Sequence, residues 1–329
     1  MGMFADMVSL SNIPVTVLSG FLGAGKTTLL NRILTENHGV RFAVIVNEFG
    51  KEGIDNDLII NADEEVFEMN NGCVCCSIRG DLIRTLNSLM ERSDKLDAVV
   101  IETTGLADPG PIAQIFFSDQ KFTHYTKLDS IVAVVDAYHF NMQLSEHHET
   151  REQIAFADVI LVNKIDLVDS TTLETVISDI KRTNPHAKLI KTVHCQAPIN
   201  DLIDIDAFNL ERVLEIKPQF ELPKKKNKHD DHIGSVSLVS NKPLDIDKFQ
   251  TWFGSLLESK GHDILRSKGI IEFYGLDDRY VFQGVHMLMD ASPMGAWPDD
   301  CERISRIVFI GRNLESMGLK EGFESCQSD

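Results

Sequence analysis

The sequence predicts an α/β protein: a P-loop nucleotide-binding domain with a mostly parallel sheet, followed by a smaller α+β C-terminal domain. Three observations carry this. Gly20–Thr28 fits the pattern G-x-x-x-x-G-K-T and lies between a strand-like run, Ile13–Ser19, and a run with helical apolar spacing, Leu29–Leu34. Short apolar runs then alternate with helical patterns through the first two thirds of the chain, as parallel sheets require. Past residue 233 the pattern changes to strands of a mainly antiparallel sheet.

With 329 residues, 43% hydrophobic and 25% charged, the chain has the composition of a soluble globular protein of about two domains. These are placed at 1–217 and 234–329, with a proline-containing, charged linker at 218–233. A net charge of −18 argues against nonspecific binding to nucleic acid or to an anionic membrane, because an acidic field repels phosphates. Met1–Met7 lacks the basic start and apolar run of a signal peptide, and Asp6 breaks the myristoylation pattern. No apolar stretch of membrane-spanning length follows, so a cytoplasmic protein is expected. In that compartment the six cysteines read as thiols or metal ligands rather than a disulfide framework.

The phosphate loop comes first. Its glycines let successive backbone N–H groups point into one concavity at the positive end of the following helix. Gly20, Gly23, Ala24, Gly25, Lys26, Thr27 and Thr28 are the candidate nucleotide-binding residues here. Lys26 would reach the β- and γ-phosphates, and the Thr27 hydroxyl would ligate Mg²⁺. A second buried strand, Phe42–Val46, ends in Asn47-Glu48-Phe49-Gly50 and a polar loop, Lys51–Asp57, placed where a switch segment would sit. Glu48, Asp55 and Asp57 are its carboxylates able to meet a metal or position a water, or simply to face solvent.

Val66–Met69 leads into Cys73-Val74-Cys75-Cys76, followed by a predicted helix from Ser77 to about Arg92. Thiols ahead of a helix N-terminus are biased towards thiolate, which is both nucleophile and metal ligand. The spacing is too tight for a closed structural zinc knuckle and suits an open site, with Glu48, a histidine or water completing it. Such a donor set points to Zn²⁺ over Cu⁺. Buried structural cysteines and a redox pair at Cys75-Cys76 remain open beside it.

The apolar strand Leu96–Ile101 ends in Glu102-Thr103-Thr104-Gly105. Glu102 takes the place of the carboxylate that supports the Mg²⁺ shell, and the Gly105 N–H is placed to sense a γ-phosphate. Asp108-Pro109 is expected to start a helix. Two more strands, Ser130–Asp136 and Ala157–Val162, lead to Asn163-Lys164-Ile165-Asp166. An Asp there can accept two N–H bonds from guanine, which adenine cannot offer as a pair. Lys188–Val193 is a further strand with His194 and Cys195 at its tip; they could pair on a metal, but a base-side loop lies far from the switch region, so they read as structural. His229 and His232 lie in the linker and could hold a metal weakly, though a solvated linker accounts for them as well.

In the C-terminal part, strands are predicted at Gly234–Val239, Ile270–Tyr274, Tyr280–Met289 and Arg306–Gly311, with helices at Asp247–Lys260 and Leu314–Phe323. No catalytic constellation is legible there; His286, Cys301, Glu302 and Arg303 read as surface or packing residues.

Together, Gly20–Thr28, Asn47-Glu48-Phe49-Gly50, Gly72–Cys76, Glu102–Gly105 and Asn163–Asp166 resemble the CobW-type GTPases, relatives of the urease and hydrogenase nickel-insertion GTPases. Phe282–Val285 and Ile307–Gly311 are similar to that family's C-terminal domain, so the resemblance covers nearly the whole chain. It implies a GTPase metallochaperone with GTP, Mg²⁺ and Zn²⁺ as ligands, Co²⁺ or Ni²⁺ being further candidates, and a client metalloprotein as partner. By position, Lys26, Thr27 and Glu102 would form the catalytic set, Gly105, Asn163, Lys164 and Asp166 would join the nucleotide site, and Cys73, Cys75, Cys76 and Glu48 would hold the metal. A homodimer is an open expectation. Two rival functions fit the same residues: a metal sensor or buffer with a regulatory GTP site, and an ATP-dependent assembly factor.

Overall fold

A computed structural model describes residues 13–36, 40–46, 65–68, 77–90, 96–118, 125–205, 207, 233–298 and 302–328. Seven strands form the first sheet: β1 (Ile13–Gly20), β2 (Phe42–Val46), β3 (Glu65–Glu68), β4 (Ala98–Glu102), β5 (Thr126–Asp136), β6 (Val159–Asn163) and β7 (Lys188–Lys191). Their order is β3-β2-β4-β1-β5-β6-β7, and every pairing is parallel. β1, β2, β4 and β6 are buried along their whole length. That is why their sequences run apolar instead of alternating: helices cover both faces of a parallel sheet.

Those helices are α1 (Lys26–Thr35), α2 (Ser77–Met90), α3 (Gly110–Ser118), α4 (Phe140–Glu146), α5 (His148–Phe156) and α6 (Ser170–Thr183). Leu29, Leu30 and Ile33 of α1 pack on Val44, Val100, Val132 and Val134 on one side of the sheet. Leu82, Leu86 and Leu89 of α2 pack with Ile45, Val99 and Ile101 on the other. In the register, Leu18 lies opposite Glu102, Val46 opposite Glu102, Gly20 opposite Val134 and Asp136 opposite Asn163. The strand ends bearing the predicted motifs therefore share one edge, where ligands of open α/β sheets bind.

The second sheet contains β8 (Ile233–Ser240), β9 (Ile264–Glu272), β10 (Asp278–Val285), β11 (Leu288–Ala296) and β12 (Ser305–Arg312). Its order is β11-β10-β9-β12-β8, all antiparallel. One face is covered by α7 (Ile246–Lys260) and α8 (Leu319–Ser325), with Phe249, Phe253 and Phe323 against Phe273, Phe282 and Phe309. The opposite face supplies Leu265, Ile270, Val285, Val308 and Ile310 to the same core as Ile112, Phe116 and Phe156 of the first domain. The two sheets are thus joined by shared apolar burial, which is the dominant stabilising term in such contacts.

Four local expectations need correcting. Tyr280–Met289 is two strands, since His286, at φ 53°, and Met287 make a two-residue turn that pairs Val285 with Leu288. The apolar pattern runs through that turn and conceals it. β11 was not expected; it is an exposed edge strand carrying Pro293, which an edge tolerates because one row of its N–H groups has no ladder to join. The last helix is broken by Gly318, at φ 62°, into a 3₁₀ turn, Leu314–Ser316, and α8. Finally, Pro109 precedes α3: its carbonyl accepts from the Ala113 N–H, the Asp108 carboxylate accepts from the Gly110 N–H at 2.8 Å, and Pro111 occupies the first turn.

Candidate functional site

The site is built at the shared strand edge. β1 ends in Gly20, and the loop turns directly into α1, whose first residue is Lys26. Gly25 at φ 116° begins the helix in a conformation that side chains disfavour, and a Cβ there would lie 2.7 Å from Asn163 Nδ2 and 2.9 Å from Cys195 Sγ. At Gly20 a Cβ would lie 2.3 Å from the Val134 carbonyl oxygen. Both glycines are demanded by close approach of the loop to its neighbours.

Lys26 Nζ donates to the carbonyls of Gly20 at 2.7 Å and Phe21 at 3.3 Å. Burial pulls its ammonium below the ordinary lysine value, and the Glu102 carboxylate offsets part of that. Thr27 Oγ1 stands 3.5 Å from Glu102 Oε1, so the hydroxyl and the strand-tip carboxylate face one another across the loop. At the same strand ends, the buried hydroxyls of Ser19 and Thr103 have no hydrogen-bond partner among the described residues.

The other half of the edge is tied together. Asn163 donates through Nδ2 to the Ala24 carbonyl at 3.0 Å, and its Oδ1 accepts from the Cys195 N–H at 2.9 Å and the Thr192 hydroxyl at 3.2 Å. Lys164, at φ 60°, donates to the Gly23 carbonyl and to Asp136 Oδ2, both at 2.7 Å. Asp166 is exposed in the 3₁₀ turn Ile165–Leu167. Cys195 is buried, its thiol donating to the Gly25 carbonyl at 3.3 Å, and burial pushes its pKa up to about 11. A thiol so held is a packing and hydrogen-bonding group, not a thiolate.

Sequence reasoning missed Asp136. This buried carboxylate accepts from the N–H groups of Tyr138 at 3.0 Å and His139 at 3.2 Å, and from Lys164; His139 Nδ1 lies 2.9 Å from it. Burial raises its pKa, but the bonds from Lys164 and His139 outweigh this and leave it lowered. An acidic residue closing the apolar run Ile131–Val135 was the available signal.

Residues 14–191 match the family described as the CobW/HypB/UreG nucleotide-binding domain, and residues 233–327 match the cobalamin synthesis protein CobW C-terminal domain. The chain belongs to the CobW family. Among CobW relatives, the zinc chaperone YjiA of Escherichia coli is 36% identical over 94% of this chain and 98% of its own length. The zinc-regulated GTPase metalloprotein activator 1 of Schizosaccharomyces pombe is 34% identical over 93% of this chain and 84% of its own. The Zn(II)-bound crystal structure of the YjiA GTPase superposes with a TM-score of 0.75 at 31% identity, covering 97% of this chain and all of that one.

For this CobW protein, the predicted phosphate and base motifs are brought to one edge: Gly20 to Thr28, Glu102, Gly105, Asn163, Lys164 and Asp166. Glu48, Cys73, Cys75 and Cys76 lie outside the described residues, as do Asp55, Asp57, His229, His232 and Cys301. Val46 and Glu68, the described residues that precede Glu48 and the cysteines, are paired, and Val46 also lies opposite Glu102. Among the described residues no group of three or more His, Cys, Asp or Glu is arranged to hold a metal, and no helix is long and apolar enough to cross a membrane.

Proposed function

We propose that the protein is a GTP-hydrolysing zinc chaperone in which the nucleotide state sets how tightly a zinc ion, held by Cys73, Cys75 and Cys76 with Glu48, is kept for a client metalloprotein. The observation that carries it is the convergence of Lys26, Thr27 and Glu102 with Asn163 and Lys164 on one strand edge, in a chain 36% identical to a zinc chaperone over nearly its full length.

Lys26 and the N–H groups of the loop bind the β- and γ-phosphates, and the Gly105 N–H reports whether the γ-phosphate is there. Asn163 has both ends of its amide engaged within the protein, so it braces the loop, while the exposed Asp166 carboxylate reads guanine. The Thr27 hydroxyl and Glu102 carboxylate form a hard oxygen pair suited to Mg²⁺. When bound, Mg²⁺ neutralises charge on the phosphate oxygens. The zinc ion is cargo: thiolates with a carboxylate favour Zn²⁺, and Co²⁺ or Ni²⁺ would compete for the same donors. Because β2 ends opposite Glu102 and is paired with β3, the chain leading to Glu48 and to the cysteines starts from the nucleotide edge.

Zinc affinity measured with GDP and with a non-hydrolysable GTP analogue tests the coupling. A difference of roughly 5- to 150-fold is expected, lost in the Cys73/Cys75/Cys76→Ser triple variant. Equal affinities in the two nucleotide states would remove the chaperone cycle and leave a metal buffer.

A further inference from the structure

The segment after Glu102 is held from behind by a helix that also carries the contact with the C-terminal sheet. Gln153 of α5, 3% exposed, donates from Nε2 to the carbonyls of Gly105 and Ala107, each at 3.2 Å. Its side chain also lines a small cavity, with Gln143 and Thr150, beneath Gly20 and Phe21 of the phosphate loop. It therefore lies between the phosphate loop and the segment expected to sense the γ-phosphate.

The next residue back faces the other domain. Glu152 pairs with Arg312, at the end of β12. One helical turn on, the Phe156 carbonyl accepts from Arg266 of β9, and the Phe156 ring lies 5.5 Å from that of His286, in the β10–β11 turn. A Cβ added at Gly110 would lie 3.0 Å from Asp108 Oδ1 and 3.1 Å from His286 Nε2, so the same turn also packs against the start of α3, just beyond the segment. Residues 152 and 156 share a helix face and 153 lies about 100° round from 152, which gives α5 one side for each neighbour.

We propose that Gln153 is a positioning residue for the segment Glu102–Ala107, and that the C-terminal sheet, through Arg312 on Glu152, sets how firmly Gln153 holds it; this rests on the nucleotide site proposed above. The C-terminal domain then acts on GTP turnover without touching nucleotide. The two bonds from Gln153 go to Gly105 and Ala107, the part of the segment that faces the γ-phosphate, so losing them changes the GTP-bound and transition states more than the GDP-bound one.

The test uses the full chain. In Gln153→Glu, which keeps the side chain's size but loses its N–H donors, kcat should fall about tenfold and the affinity for GTPγS about fivefold, with GDP affinity changed by less than about twofold. Arg312→Gln should shift the same two quantities about threefold, and the double variant should be no worse than Gln153→Glu alone, because Arg312 acts through Gln153. Equal losses of GDP and GTPγS affinity, or unchanged kcat, would overturn the proposal, as would additive effects of the two substitutions. Amide exchange at Gly105–Ala107 supplies a reading independent of turnover: it should quicken in folded Arg312→Gln, and an unchanged rate also overturns the proposal. A wild-type protein that neither binds nor hydrolyses GTP refutes the proposed function instead, while the exchange result still decides whether Arg312 supports the segment.

Discussion

At the nucleotide edge some buried polar groups have no match: the Ser19 and Thr103 hydroxyls have no partner among the described residues. At the contact between the two sheets polar groups are just as buried and densely matched. Asp158 accepts two bonds from Arg266, at 2.8 and 2.9 Å, one from Lys268 and one from the Ile131 N–H at 2.9 Å. The difference teaches what each set is for. Matched buried charges define how two layers fit, whereas unmatched donors and acceptors at strand tips are suited to a ligand that completes them. Substitutions at the first should therefore register as stability, and at the second as activity.

The largest effect is expected at the interface. Asp158→Ala leaves the buried Arg266 and the half-buried Lys268 without this counter-charge, and should destabilise the fold by about 3–5 kcal/mol in denaturant titrations. GTP affinity of the folded fraction should change little. Burial raises the Asp158 pKa, but Arg266 and Lys268 more than reverse that and hold it lowered. Its contribution is accordingly present above the unfolded carboxylate value and is lost only as pH falls through a lower folded value.

Lys26→Ala should show the opposite signature. On the proposed role of Lys26 at the transferring phosphate, removing its charge should cost hydrolysis roughly 10²- to 10³-fold. The melting temperature should move by no more than about 3 °C, the equivalent of ~1 kcal/mol, since the residue makes no contact between the layers. A collapse in stability with modest loss of turnover would erase the distinction between the two regions.

Asp136 separates the two halves of the nucleotide edge from each other. Asp136→Asn weakens the hold on Lys164, which clamps Gly23, so GTP and GDP should both bind about tenfold more weakly while kcat at saturation stays within about twofold. Isothermal titration with both nucleotides checks this. A selective loss of GTP would move Asp136 to the γ-phosphate side.

Much of this was legible in the sequence, and the parts that were not share a cause. Buried strands such as Val44–Val46 and Val159–Val162, and the motifs at their ends, are local patterns whose meaning survives without knowing the neighbours. Asp158 and Arg266 are 108 residues apart, and Gln153 and Gly105 are 48 apart; no local signal relates them. The turn at His286 was hidden because its residues continue the apolar run instead of announcing themselves with glycine or asparagine. Asn163 was legible as a motif member, yet its work, bracing Ala24 and Cys195, depends on strand order.

At neutral pH the smallest effect belongs to a neutral group at the same interface. His186 follows α6, accepts or donates across 3.3 Å to the Ser237 hydroxyl of β8, and is pushed from 6.5 to about 4 by burial and by the nearby Lys268 ammonium. Its folded value lies below its unfolded one, so the unfolded chain takes up the proton first. Stability from this group is then complete above about pH 6.5 and declines as pH falls towards about 4, by at most about 2–3 kcal/mol. Below that the folded protein also protonates and the decline from this group stops. Asp158 stays ionised across that window, because its own value is lowered, but His286, which burial lowers, adds to the slope and Glu152 and Asp108, which burial raises, act against it, so the share of His186 is read from its substitution. His186→Gln, which keeps a hydrogen-bonding group without a titrating one, should reduce the dependence of the denaturation midpoint on pH between 6.5 and 4 and leave GTP turnover at pH 7 unchanged. If the slope is the same in that variant as in the wild type, the acid sensitivity of the contact between the sheets resides in another group.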